Sequence, residues 1–206
     1  ATASLVALYG KIYAPTSLGA VSLIKMTAFG AALVAVLFVF MTVRHTRSDE
    51  ESGRLELVSA GVVGRAAPLA AAMVVGFGAS VVLGALTAVG LAAAGLPAAG
   101  SLAFGVSWAM SGIVFTSVAA VAAQVTTSAR AAVGLGLVAV AIAYVLRAVG
   151  DLAAGDPGFL SWLSPIGWSQ QIRPFAGDRW WVVAIGAVAT VGLVVAAFVL
   201  RGHRDL

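Results

Sequence analysis

The sequence has no cysteine, two histidines and only 10% charged residues among its 206. Without cysteine there is no disulfide framework and no thiolate metal centre. His45 and His203 come without a cluster of carboxylates, so no typical zinc site is expected. Soluble domains carry roughly 25% charged residues. Charges this sparse cannot cover a water-facing surface, which excludes a secreted or cytosolic globular enzyme as the default. A Gly-x-Ser-x-Gly nucleophile elbow and a Gly-x-x-x-x-Gly-Lys-[Ser/Thr] phosphate loop are both missing. We therefore assign no catalytic residue and no metal ligand, and expect any nucleotide the system consumes to be bound by another chain. The first residue is Ala1, and no basic leader with a cleavage site precedes the first apolar run. We read the chain as a piece of a longer protein and expect no signal peptide.

What is present is hydrocarbon. Apolar residues make up 61% of the chain, and its mean hydropathy is +1.05. Five apolar stretches, at 21–43, 69–94, 101–123, 131–149 and 180–200, each have the length that crosses about 30 Å of lipid. They are too long for barrel strands and show no alternation, so they predict helices, which satisfy their own backbone hydrogen bonds in lipid. The expected fold is all-α, a polytopic transmembrane helical bundle forming one domain over 1–206. Lys25 near the first span can snorkel to the headgroups. Pro68 suits the first turn of the second helix. A tight turn spans Gly95 to Gly100, a polar link runs from Gln124 to Arg130, and an irregular segment covers 151–179.

Lysine and arginine set orientation in a membrane. The 44–66 loop, the 124–130 link and the C-terminal tail together hold seven, and the opposite side holds at most five. This predicts a cytoplasmic 44–66 loop, an external N-terminus and a cytoplasmic C-terminus. The net charge of +4 reads as a topology signal, not as a nucleic-acid patch.

Two segments outside the spans are candidates for function. In the loop over 44–68, Ser48-Asp49-Glu50-Glu51 matches a capping box, and its carboxylates suit a helix N-terminus. Leu55, Val58 and Val62 recur at helical spacing beside Leu57, and Gly61 is a plausible stop. The bland reading is a solvated connector. The sharper one is a short amphipathic helix that docks into a partner's groove. In 151–179 and just beyond it, Trp162, Trp168, Trp180 and Trp181 gather with Phe159 and Phe175. An aromatic belt at the headgroups explains them. Short interfacial helices forming an external gate, broken at Pro165 and Pro174, are the sharper alternative.

Arg147 lies within a span three residues before Gly150, close enough to snorkel, with Asp151 as an available partner. No Asp or Glu lies within the spans, which argues against an ion-coupled carrier. Gly76, Ser80, Gly84, Ala88 and Ala92 recur every four residues in the second span, a spacing that allows close helix packing, against a background already rich in small residues.

The run Val43-Arg44-His45-Thr46-Arg47-Ser48-Asp49-Glu50-Glu51-Ser52-Gly53-Arg54-Leu55-Glu56-Leu57 resembles the first cytoplasmic loop of actinobacterial ABC-type exporter permeases of the tetronasin and multidrug kind. The run Leu160-Ser161-Trp162-Leu163-Ser164-Pro165-Ile166-Gly167-Trp168, then Gln170 or Gln171, Arg173-Pro174-Phe175 and Arg179-Trp180-Trp181, resembles their external segment. Tyr9-Gly10 and Pro15-Thr16-Ser17-Leu18-Gly19 fit as well.

The resemblance implies a type-2 (type V) exporter permease, often built of two related six-helix halves. A separately encoded ATPase carries ATP and Mg and receives the short cytoplasmic helix in a surface groove. The first span here would then be the family's second helix. Glu50, Glu51, Arg54, Leu55, Glu56 and Leu57 are the expected docking face. Trp162, Pro165, Trp168, Gln171, Arg173 and Phe175 are the expected external gate, and Trp108, Met110, Phe115, Thr116 and Tyr144 the expected cavity residues. Expected partners are a cytosolic ABC ATPase in two copies, a second permease half or copy, membrane lipid and an apolar or amphiphilic export substrate. No cofactor is expected on this chain. The alternatives are a non-transporting scaffold or sensor subunit and an ion-gradient-driven secondary carrier.

Overall fold

The computed structural model describes residues 3–48, 51, 64, 66–153 and 157–204. Among the described residues there is no strand, and five helices are long and apolar enough to cross a membrane: Met26–Arg47, Ala67–Ala93, Ala98–Val125, Ala129–Leu152 and Val182–Gly202. The expected all-α, five-span bundle is what the chain forms. The helices comprise α1 (Ala3–Tyr9), α2 (Leu18–Ser22), α3 (Ala31–Val43), α4 (Ala67–Ala93), α5 (Ala98–Val125), α6 (Ala129–Leu152), α7 (Phe159–Trp162), α8 (Pro165–Gln171) and α9 (Val182–Arg204).

Local chemistry sets most boundaries. Ser17, Ser128 and Ser164 are N-caps whose hydroxyls accept from Ala20 N, Ala131 N and Gly167 N. Pro68 occupies the first turn of α4, as its missing N–H allows. Gly95, at φ +90°, makes the tight turn that Pro97 closes as the N-cap of α5. The first span starts five residues later than expected. The chain breaks after α2 and re-enters through a wider π-type turn, Met26–Gly30, and a second such turn, Arg44–Ser48, follows α3. Wide turns loosen the regular ladder, and neighbours supply extra donors: Trp108 Nε1 donates to Met26 O (3.1 Å) and Ser111 Oγ to Ala31 O (2.8 Å).

The centre of the bundle is α5. In its most apolar stretch 67% of residues are buried, against 17% in α9. Its composition is the cause: Gly105, Gly112, Ser107, Ser111 and the Ala119–Ala120 pair let α3, α4, α6 and α9 approach closely. One apolar cluster joins α3, α5 and α6 through Val39, Phe115 and Val140. A second joins α5, α8 and α9 through Met110, Trp168 and Val182. A third joins α4, α5 and α9 through Leu69, Ala120 and Ala197. Outward faces stay apolar, with Val74, Leu86, Ile142 and Val188 more than half exposed, as lipid-facing helices require.

The alternation of spans puts the turn Arg44–Ser48, the 124–130 link and the end of α9 at one end of the bundle, here the loop end. The opposite end carries α1, α2, α7 and α8, here the hairpin end.

Candidate functional site

At the hairpin end, α8 is capped by Ser164, starts with Pro165 and buries all its remaining residues. Ser164 Oγ also donates to Ala143 O (2.6 Å), and Ser169 Oγ to Ser107 O (3.0 Å), pinning the helix between α6 and α5. Gly167 is needed there, because a Cβ would stand 2.1 Å from Ser161 O. Gln171 Nε2 donates to the Tyr13 hydroxyl (2.5 Å), while the Arg173 guanidinium lies 3.7 Å from the Tyr13 ring centre and Arg173 Nε donates to Gln171 Oε1 (3.3 Å). Burial raises the Tyr13 pKa above the ordinary tyrosine value, against the lowering effects of the Gln171 bond and Arg173, so the phenol stays neutral at physiological pH.

The segment after α8 is strained. Arg173, Phe175 and Asp178 adopt positive φ at 54°, 61° and 32°, each costing about 1–3 kcal/mol and held only by surrounding contacts. Phe175 N donates to Asp178 Oδ1 (3.0 Å), and Arg179 N to Ile172 O (2.6 Å), which closes the loop. The Phe175 ring fills space left by two glycines. A Cβ on Gly19 or Gly100 would meet ring carbons at 2.7 and 2.1 Å. Thus Pro165, Trp168, Gln171, Arg173 and Phe175 are packed into one plug between α2, α5, α6 and the loop residue Tyr13. The aromatic-belt expectation divides. Trp180 and Trp181 are exposed, whereas Trp168 is buried and donates Nε1 to Trp162 O (2.6 Å). Trp162 stacks on Trp181 at 5.3 Å and so links the two groups.

Arg147 corrects an expectation. It does not snorkel. Its side chain has no exposure and lies 3.4 Å from Asp151 Oδ2, inside the protein. The reason is long-range: the end of α1 comes to lie against this turn of α6, so the guanidinium finds carbonyl acceptors inside.

At the loop end, Arg47 is buried. It donates Nε to Ala123 O (2.6 Å) and Nη2 to Thr126 O (2.5 Å), the carbonyls that finish α5. Glu51 Oε1 accepts from Ala129 N (2.7 Å), the first N–H of α6, beside the Ser128 cap. The residues flanking the end of the first span therefore hold the 124–130 link from both sides. Of the expected docking face, Glu51 is exposed and described; Glu50, Arg54, Leu55, Glu56 and Leu57 lie outside the described residues. Arg47 was missed as a functional residue, since among many loop charges nothing in the spacing marks the one that turns inward.

Of the expected cavity residues, Met110 lines a recess formed by α4, α5 and α9, and the other four do not. Trp108 bonds Met26 O, Phe115 sits in the α3–α5–α6 core, Thr116 packs on Gly76 and the Tyr144 hydroxyl donates to Leu8 O. Each instead holds two elements together. That recess is a cleft of about 550 Å³ over α5 between α4 and α9, lined among others by Phe77, Val81, Leu102, Met110 and Val191. Its hydroxyl, on Thr190, donates back to Gly186 O, leaving a surface that offers a ligand only hydrocarbon. No group of three potential metal ligands occurs among the described residues.

No family model matches the chain. Among curated proteins, the multidrug efflux system permease protein of Mycobacterium tuberculosis is 49% identical over 200 residues, which is 97% of this chain. The chain spans 36% of that relative's own length. Nearly every residue described above thus has a counterpart in one continuous part of a longer permease, in agreement with the resemblance carried by the runs at 43–57 and 160–181.

Proposed function

We propose that this chain is a membrane-embedded part of an export permease, one domain over 1–206, which moves apolar or amphiphilic drug-like compounds out of the cell. The observation that carries the reading is 49% identity across 97% of the chain to a multidrug efflux permease. The apolar bundle supports it, since five crossings with hydrocarbon-lined recesses suit compounds that partition into lipid.

The energy source is ATP bound with Mg on a separate cytosolic subunit, in two copies, that grips the 48–60 segment. A second permease half or copy completes the pathway. Glu50, Arg54, Leu55, Glu56 and Leu57 face that subunit, with charges setting register and leucines contributing buried area. Two contacts at the loop end favour this assignment. A push on the segment reaches α5 through Arg47 and α6 through Glu51, as well as α3 directly. Outward release passes the plug around Gln171, Arg173 and Phe175. The loop end is cytoplasmic and the hairpin end external.

The test is efflux of a fluorescent amphiphile, ethidium, from cells carrying the protein and its ATPase. Efflux should stop when ATP is depleted with the proton gradient intact. Replacing Glu50 and Glu56 by Lys should uncouple ATP hydrolysis from ethidium while the membrane protein still folds. Efflux that survives ATP depletion and collapses with a proton ionophore overturns the reading in favour of a carrier. Absence of any efflux beside a normally assembled ATPase overturns it in favour of a scaffold.

A further inference from the structure

Arg147 and Asp151 stand one turn apart near the end of α6, both without exposure. The export reading above makes no use of them. One 3.4 Å contact does not offset the desolvation of two charges; further partners add to it although Arg147 Nε has none, and these partners lie on different elements. Arg147 donates Nη1 to Val6 O (3.3 Å) and Nη2 to Ala7 O (2.8 Å) and Leu8 O (3.2 Å). These are closing carbonyls of α1, the negative end of a helix and natural acceptors for a guanidinium. The Tyr144 hydroxyl adds a bond to Leu8 O, and its ring centre lies 4.5 Å from the guanidinium carbon. Asp151 faces the other way. Its Oδ1 accepts from Ser161 Oγ (3.0 Å) on α7 and its Oδ2 from Gln170 Nε2 (3.0 Å) on α8.

Helix α1 has no buried residue, and Leu5 and Leu8 are half exposed. Apolar burial therefore does little to hold it; the Arg147 and Tyr144 bonds do. The two arms meet at Gly10, which ends α1 at φ +95° and whose missing Cβ would stand 2.6 Å from Gln170 Oε1.

We propose that Arg147 and Asp151 are positioning residues that fasten two separate pieces of the hairpin end to α6: Arg147 holds α1, and Asp151 holds the α7–α8 hairpin. Gln171, Arg173 and Phe175 sit at or just past the end of α8, so the Asp151 arm sets where the plug sits. Its bearing on transport rests on the export reading; the fastening itself does not.

The chain has no cysteine, so introduced pairs report cleanly. Spin labels at Leu8 and Leu102 report α1 against α5, labels at Leu163 and Leu102 report the hairpin, and labels at Val82 and Val138 serve as a reference within the spans. All five positions are exposed or face lipid. In the full chain in lipid nanodiscs, Arg147→Gln should cost the Leu8–Leu102 pair its single narrow distance peak while the Leu163–Leu102 peak survives. Asp151→Asn should give the opposite pattern, and Arg147→Lys should partly restore the α1 peak. The double variant Arg147→Met/Asp151→Leu removes the buried charges together and so guards against misfolding; it should loosen both pieces. Narrow peaks retained for both pieces in Arg147→Gln and in the double variant overturn the proposal. So does broadening of the reference pair in step with the others, which would make the pair a general structural support. Distances are read whether or not the chain transports anything, so failure of the export reading leaves this test intact.

Discussion

Arg47 shows how one side chain can replace a turn of helix. The last carbonyls of α5 have no intrahelical N–H to accept from, and the chain leaves the helix at Thr126 in an extended conformation. The guanidinium fills that gap at Ala123 and Thr126. A hydrogen bond to a charged group contributes about 1.5–3 kcal/mol in water and interhelical bonds in membranes average less, so losing the two Arg47 bonds in Arg47→Ala should cost about 1–3 kcal/mol in all. Arg47→Lys, a point charge without the planar fork, should recover roughly half of that. Denaturant unfolding in mixed micelles, followed by tryptophan fluorescence, reads both, and an Arg47→Ala protein that unfolds no earlier than the unchanged chain refutes the claim. Residues of this kind were hardly legible beforehand. Local spacing placed Arg147 within snorkelling reach of an interface and offered Asp151 as a partner, but it could not announce that Val6 to Leu8 would meet it from 139–141 positions away. Trp108 looked like a cavity wall for the same reason: its actual acceptor, Met26 O, lies 82 residues off.

Among the elements, the α4–α5 pair rests on the stripe of small residues. Gly76, Ser80, Gly84 and Ala88 form the buried face of α4, and only Ala92, of the five at that spacing, falls outside it. The tightest point is backbone on backbone. A Cβ at Gly84 would lie 2.5 Å from Gly105 O, and one at Gly105 would lie 2.2 Å from Gly84 O. A backbone obstacle cannot swing aside, so the helices would have to separate. Gly84→Ala or Gly105→Ala should each destabilise by about 1–3 kcal/mol, the usual cost of overpacking. Gly90→Ala, with nothing within 4 Å, should be neutral or slightly stabilising, because alanine favours helix. Equal unfolding midpoints for all three variants would show that the close approach carries no energy. The spans themselves were readable to within a few residues because bilayer thickness dictates their length. The wide turn before α3 was not, since carbonyls at its two ends are met by Trp108 and Ser111 from α5, and hydropathy carries no record of such pairing.

For the molecule as a whole, the decisive property is sidedness. Alternating crossings place Arg44, Arg47, Arg130 and Arg201 at one end, and Lys11, Lys25, Arg173 and Arg179 at the other. Geometry alone leaves the two ends equivalent with respect to the cell. The proposed orientation rests on the sequence: counting Arg54, Arg65 and Arg204, the segments flanking the loop end carry seven cations, against five with Arg147 counted on the other side. Each cation retained in the cytoplasm contributes to orientation, whereas carboxylates such as Glu50 and Glu56 count for little, so the dense acidic cluster does not weaken the bias. The same assignment puts the exposed Trp180, Trp181 and Phe159 at the outer headgroups, where amphipathic rings settle. A lone cysteine at Ser52 should therefore resist an impermeant maleimide in intact cells and react once the membrane is opened. One at Phe159, 75% exposed, should react without opening. The reversed pattern would leave every helix contact described here in place, yet it would put the 48–60 segment beyond reach of any cytosolic ATPase, and nucleotide-driven export would fall with it.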